Sequence, residues 1–504
     1  MADLLPAPGF HEAFLAQVDT RPNDVALVWH RQETTYRELY EMASKAGAQL
    51  VGLDLGPDEP VGVLAKKSPA AVALVLACLL AGRRFLLPSP ALAERTLTTL
   101  FARADCRYAL VPDSDPIPIP PASGPPALRV VDQTDVSFML TTSGSTGLPK
   151  IVPLSQSGVD RFVAWAADAF DIGPGRSVLN YAPLNFDLCL LDVWTTLAHG
   201  GRVVMIDPAY AANGYHLLDQ LTRHEVHVVQ AVPMFYSLLI YGVVTRDPER
   251  VFPSVEHVMS TGDAIPDCTL EQLPALFPSA RLHSIYGCTE TNDSFVHEVD
   301  RDTAGKSGPI PLGVPVSGSK AEIVGADGAV LDGSGMGELY VSTPFQTTGY
   351  LSRPDQDHRF VPHPHGWDDR RYFRTGDLVR RDDNGRMFLV GRSDFQVKVR
   401  GVAVNTAEVE RVLLDHPEVD EAAVVATPDD LAGSVLRCVV RRTPGSRLNS
   451  LTLRGHCAKN LPQAAIPTVL RIGDEPLPKT PTGKVDRNAV SFPDVSPTAR
   501  GRVS

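Results

Sequence analysis

Short apolar runs alternate with helix-like segments through the first two-thirds of the chain, and this alternation limits the fold more than any other feature. VGVLAK (61–66) reads as a strand, AAVALVLACLLAG (70–82) as a buried helix stopped by glycine, and RFLLP (84–88) as the next strand. The rhythm returns in VSFML (136–140), VVMI (203–206), VHVVQ (226–230), HVMS (257–260) and LHSI (282–285). Strands alternating with helices predict parallel α/β layers. Around residues 317–349 the pattern shortens to AEIV and ELYVS broken by glycines, which predicts a small antiparallel or barrel-like element. The proline-rich DSDPIPIPPASGPPA (113–127) reads as an exposed connector.

A boundary is expected near residues 392–394. Beyond it FQVKVRG, the acidic-start helix TAEVERVLLDH and the strands EAAVVAT and RCVVRR describe an α+β unit of about 110 residues, within the usual domain range. The expected division is a large domain over 1–392, a small α+β domain over 393–490, and a disordered polar tail over 491–504. From Ser393 onward there are 15 Lys+Arg against 13 Asp+Glu, which leaves 32 against 46 for the rest. The small domain is thus relatively basic within a chain of net charge −12, a balance that argues against coating nucleic acid or an anionic membrane. Seven scattered cysteines form no C-x-x-C pair, so neither a disulfide framework nor a cysteine zinc site is expected. MADLLPAPGFHEAF lacks a basic segment followed by an apolar run, and residues 70–81 are too short to span a bilayer. These features predict a cytoplasmic globular protein.

The strongest local motif is TTSGSTGLPK (141–150), directly after VSFML. Thr141, Thr142, Ser143, Gly144, Ser145, Thr146 and Gly147 offer backbone N–H groups and hydroxyls to phosphate oxygens, and Lys150 adds a compact positive charge. It is not a Walker A loop, because Gly144 and Gly147 are three apart and no Ser or Thr follows Lys150. Taken alone the segment could equally be a flexible surface loop; its place between a buried strand and the helix-like 155–170 favours phosphate.

With this decapeptide come NFDLCLLDVW (185–194), STGDAIP (260–266), YGCTE (286–290), GYL (349–351), YFRTGDL (372–378), GRSDFQVKVRG (391–401) and LPKTPTGKVDR (477–487). In content and order they resemble the adenylate-forming superfamily of acyl-CoA synthetases, luciferases and the adenylation domains of nonribosomal peptide synthetases, over about residues 10–490. The resemblance implies a large α/β domain followed by a mobile C-terminal lid, with ATP and Mg²⁺ as cofactors. It implies that a carboxylate attacks the α-phosphate while pyrophosphate leaves. It places the ring of Tyr286 on adenine, Glu290 on Mg²⁺, Asp377 on the ribose hydroxyls and Arg392 beside the ribose and phosphate. Gly262, Asp263, Gly287 and Thr289 complete the nucleotide site, Thr142 and Lys150 join Lys484 as catalytic residues, and Asp394 is the hinge. Lys484 would bridge the substrate carboxylate and ATP in one lid position and withdraw in the other, admitting a thiol. Without the resemblance, Tyr286 reads as a core aromatic, Glu290 and Lys484 as solvated charges, and Asp377 as an Asx turn. Two positions depart from the family pattern. Ile151 stands where glycine is usual, and Cys288 replaces proline or alanine as a packing residue rather than a nucleophile.

Within the superfamily, an aspartate at the place of Asp187 marks amino-acid activators, since it pairs with the α-ammonium; the competing reading is a helix cap. The resemblance lines the side-chain pocket with Leu188, Leu191, Gln230, Met259, Thr261, Ile285, Asp293 and Ser294. These favour a small or medium side chain, proline-like or polar, and Gln230 and Asp293 either bind it or pair with each other. After Arg487 only 17 residues remain and no G-G-x-S attachment motif occurs. The expectation is therefore loading, in trans, of an acidic phosphopantetheinyl carrier protein in natural-product biosynthesis. Arg441 and Arg442 are candidate contacts, or else solvated charges on an edge strand. An acyl- or aryl-CoA ligase using coenzyme A, and an inactive binding scaffold, are the competing functions.

Overall fold

The burial of nearly every residue in Ser177–Asn180, Arg202–Met205, Val228–Ala231 and His257–Thr261 follows from their position as parallel strands covered on both faces. The structure, a computed structural model, describes residues 9–121, 135–142, 148–306, 308–351, 358–392, 396–429, 432–478, 485, 490 and 492. The described residues fall into two units. The first runs to residue 392 with 400–403, 429 and 432–433; the second takes 396–399, 404–428 and the described residues from 434 onward.

In the first unit the four strands centre a nine-stranded sheet, extended in parallel by Val25–Trp29 and Arg281–Cys288. Beyond Arg281–Cys288 the chain doubles back as the antiparallel strand Asn292–Val299. A six-stranded sheet holds Val61–Val63, Phe85–Leu86, Tyr108–Leu110 and Val136–Thr142 in parallel, with Lys150–Ser155 antiparallel at one edge. The glycine-broken segment becomes part of a five-stranded antiparallel sheet built on Gly335–Ser342 and Arg371–Arg381.

Two devices fix the helices between the sheets. Ser68 accepts from the backbone N–H of Ala71, and Pro69 occupies the first turn of Pro69–Leu80, where a missing N–H costs nothing. Thr35 and Glu38 form a reciprocal capping box at the start of Tyr36–Val51. Residues 71–79 are all buried, and one apolar cluster joins this helix to Gln156–Ala169 and to both sheets. A second cluster covers the opposite face of the nine-stranded sheet with Gly214–His224 and Pro233–Arg246.

The second unit contains the helices Thr406–Leu414 and Ser450–Asn460 and a sheet ordered Val419–Asp429, Gly433–Arg442, Val469–Gly473. This order corrects the edge-strand reading of RCVVRR, which is central. Its terminal arginines are paired: Arg441 with Asp420 and Glu421 at 3.0 and 3.5 Å, and Arg442 with Asp474 at 2.7 Å. The tail over 493–504 lies outside the described residues.

Candidate active site

The hairpin formed by Val136–Thr142 and Lys150–Ser155 explains where the Thr/Gly motif sits. Thr142 pairs with Lys150 and Thr141 with Ile151, which sets the two described ends of the motif side by side on antiparallel strands. Thr142 Oγ1 is buried without a partner among the described residues, a polar atom left for something else to satisfy. The buried side chain of Ile151 joins the apolar cluster of Leu86 and Leu351, and its carbonyl accepts from Leu351 N at 3.0 Å.

That contact brings Tyr350 under Lys150. The lysine is 4% exposed and its Nζ lies 4.7 Å from the Tyr350 ring centroid. Tyr350 in turn donates its hydroxyl to Glu290 Oε1 at 2.6 Å. Burial first, and then the charge of Glu290, hold that hydroxyl well above its ordinary pKa, so it stays a donor. Glu290 is buried, and among the described residues no group of three or more His, Cys, Asp or Glu could enclose a metal. One carboxylate without a protein cage suits a cation that keeps water and phosphate oxygens as its other ligands.

A second constellation lies on Arg371–Arg381 and Met387–Arg392, whose register sets Asp377 opposite Arg392. Arg392 Nη1 donates to Asp377 Oδ1 at 2.6 Å and Nη2 to the Thr375 carbonyl at 2.9 Å. Tyr286 donates its hydroxyl to Asp377 Oδ2. Asp377 does not form an Asx turn; the local turn is made by Thr375, whose Oγ1 accepts from Asp377 N at 3.0 Å. The Tyr286 ring meets Phe295 edge-on at 5.8 Å. Gly287 follows at a bulge where a Cβ would lie 2.3 Å from the Asn292 carbonyl, so only glycine allows the hairpin to close. Thr289 is half-buried at the hairpin turn. Gly262, at φ +85°, turns the chain out of His257–Thr261, and Asp263 Oδ1 accepts from Ala264 N at 2.8 Å.

The expected side-chain pocket is also assembled within this unit. Gln230 is in register with Met259, and Thr261 with Ile285, so these four share one face of the nine-stranded sheet. Leu191 is buried in the π-helix Leu190–Thr195, and Leu188 packs against the same apolar cluster as Met259 and Ile285. Asp187 is half-buried just before that helix; its Oδ1 accepts from Leu188 N at 3.1 Å, and it is not the residue that caps the helix. Cys288 packs on the cluster and lies 3.3 Å from Thr291 Oγ1, as a packing residue should.

Sequence reasoning missed a buried polar network behind this wall. Lys67, buried, donates to the carbonyls of Asn180, Tyr181 and Ala182 at 2.8, 3.2 and 3.0 Å, and burial pulls its pKa down to about 8. Asn180 donates to the fully buried Asp192 at 3.2 Å. Gln230, with its amide turned to satisfy both ends, donates to Asp192 Oδ1 at 2.8 Å and to the Leu188 carbonyl at 3.2 Å. Gln230 therefore pairs with Asp192 and not with Asp293. Ser294 hydrogen-bonds Thr291 Oγ1 at 2.9 Å. The one available signal was Asp192 itself, a charge inside the apolar run LCLLDVW. Ser143, Gly144, Ser145, Thr146, Gly147, Asp394 and Lys484 lie outside the described residues.

Residues 14–351 match the family described as AMP-binding enzyme, and residues 408–484 match the AMP-binding enzyme C-terminal domain. An L-proline--[L-prolyl-carrier protein] ligase of Streptomyces coelicolor is 32% identical over 94% of this chain and 88% of its own. A linear gramicidin synthase of Brevibacillus parabrevis is 29% identical over 96% of this chain, which spans only 10% of that protein's length. Among solved structures, the amide bond synthetase McbA from Marinactinospora thermotolerans shares the fold, with a TM-score of 0.81 at 23% identity over 95% of this chain and 98% of its own.

Proposed function

The chain belongs to the AMP-binding enzyme family, and on that footing we propose that it is an amino acid–carrier protein ligase. It activates an amino acid with ATP as the aminoacyl-adenylate, releases pyrophosphate, and transfers the aminoacyl group to the phosphopantetheine thiol of a carrier protein, with AMP as the leaving group. The proline ligase relative, matched over most of both chains, supports the reaction class. The observation that carries the amino-acid reading is Asp187, a half-buried carboxylate held by Leu188 N beside a wall that includes Leu188, Leu191, Met259 and Ile285. A substrate α-ammonium is a natural charge partner for such a carboxylate.

In this reading each described residue has a distinct task. The ammonium of Lys150, oriented over Tyr350, faces the phosphates, and Thr142 offers its unsatisfied hydroxyl. Asp377 uses one acceptor site on each oxygen for Arg392 and Tyr286, and its remaining lone pairs accept the ribose hydroxyls. Glu290 would hold Mg²⁺, which when bound neutralises phosphate charge. The substrate carboxylate oxygen attacks the α-phosphorus, and the bond to pyrophosphate breaks. Ser143–Gly147 as the phosphate loop, Lys484 as the catalytic ammonium and Asp394 as the hinge are proposed from the sequence.

We further read the carrier as acidic, on the charge difference between the C-terminal residues and the rest. We read the protein as cytoplasmic, on the scattered cysteines that form no C-x-x-C pair. No helix among the described residues is long and apolar enough to cross a membrane.

Intact-mass measurement of a holo carrier incubated with enzyme, ATP and amino acid tests the proposal. The expected result is an aminoacyl mass increment on the holo carrier, formed faster than on free coenzyme A at matched thiol concentration. Faster transfer to coenzyme A would replace this function with a CoA ligase.

A further inference from the structure

Three carboxylates meet at the side-chain wall, and two of them are already answered. Asp192 receives Asn180 and Gln230 and lies in the field of the buried ammonium of Lys67. Asp187 is held by Leu188 N and, under the proposed function, receives the α-ammonium. Asp293 is different. Its Oδ2 is shut off from solvent with no hydrogen-bond partner among the described residues. The charged groups that act on it are Asp187 and Asp192, both negative. The polar neighbours that might have turned to it are engaged: Gln230 with Asp192, and Ser294 with Thr291 and the Asn292 carbonyl.

An uncompensated buried carboxylate is costly, and a pocket for a hydrocarbon side chain would be better served by an apolar residue at this place. We infer that the cognate amino acid carries a second amine at the end of its side chain, and that Asp293 receives it while Asp187 receives the α-ammonium. The inference rests on the proposed function and names its substrate class: a diamino acid. The aliphatic Leu188, Leu191, Met259 and Ile285 then pack the methylenes between the two amines, and each ammonium gains a carboxylate of its own.

ATP–pyrophosphate exchange with matched pairs tests this: 2,4-diaminobutyrate against norvaline, and ornithine against norleucine. The expected result is that at least one diamino acid exceeds its hydrocarbon partner by about tenfold or more in kcat/KM, and that Asp293→Asn erases the difference. If that variant fails to fold, the ranking by the native enzyme decides. Preference for proline or for the hydrocarbon partners would overturn the inference and leave the amino-acid reading standing. Exchange with no amino acid of any kind would remove that reading and the inference together.

Discussion

Tyr350 donates its hydroxyl to Glu290 across 2.6 Å. Because the same ring carries the ammonium of Lys150 on its face, one side chain orients both the acid and the base of the proposed phosphate site. Tyr350→Phe keeps the ring and removes only the hydrogen bond. A lost bond to a charged group is worth about 1.5–3 kcal/mol. Exchange kcat/KM should therefore fall about ten- to a hundredfold while the melting temperature changes little. Unaltered kinetics would mean that Glu290 needs no orientation.

Asp377 is held by two donors, Arg392 on one oxygen and Tyr286 on the other. Arg392→Ala leaves the carboxylate with only one of those donors, so ATP affinity should drop more than in Tyr286→Phe, which leaves the guanidinium in place. Isothermal titration with a non-hydrolysable ATP analogue checks the order. The reverse order would show that the tyrosine hydroxyl, and not the arginine, holds Asp377 in place.

Lys67→Met would leave three carbonyls and Asp192 without their cation. Leaving a buried acceptor unsatisfied costs about 1–3 kcal/mol, so urea unfolding should show a loss of at least that order. Lys67→Met with Asp192→Leu should recover part of it, since removing both charges is far less costly than removing one. No loss on Lys67→Met would mean that the three carbonyls and Asp192 are satisfied without it.

The outline of the fold was legible because it depends on local pattern. The runs at 61–66 and 203–206 carry apolar residues on both faces, as a covered parallel strand requires. The polar interior was not legible, since its partners are far apart in sequence: Lys67 and the Asn180 carbonyl are separated by 113 positions. The same non-locality hid the pairing of Gln230 with Asp192, and it made RCVVRR look like an edge. What lies on each side of a strand is decided by the sheet order, which no local pattern contains.

Asp293 gives a pH signature in the ligand-free protein. Burial first, and then Asp187, push its carboxyl up from 3.8 to about 7. Between those values the folded protein retains a proton that the unfolded chain releases, so stability falls as pH rises through this range and the deficit is complete above about 7. Each pH unit corresponds to about 1.4 kcal/mol. The stability gained by Asp293→Asn should thus be small at pH 4, grow toward pH 7 and level off above it, as read by urea midpoints. A gain independent of pH would show that the carboxyl is not displaced.

Selection for an α-ammonium by Asp187 is the central claim. ATP–pyrophosphate exchange should be measured for the native enzyme and for Asp187→Ala, each with the preferred amino acid and with the same acid lacking its α-amino group. The predicted result is exchange by the native enzyme with the amino acid only, and a loss of about ten- to a hundredfold in Asp187→Ala, the worth of one charge-assisted bond. Equal exchange with the des-amino acid, unchanged by the substitution, would contradict it.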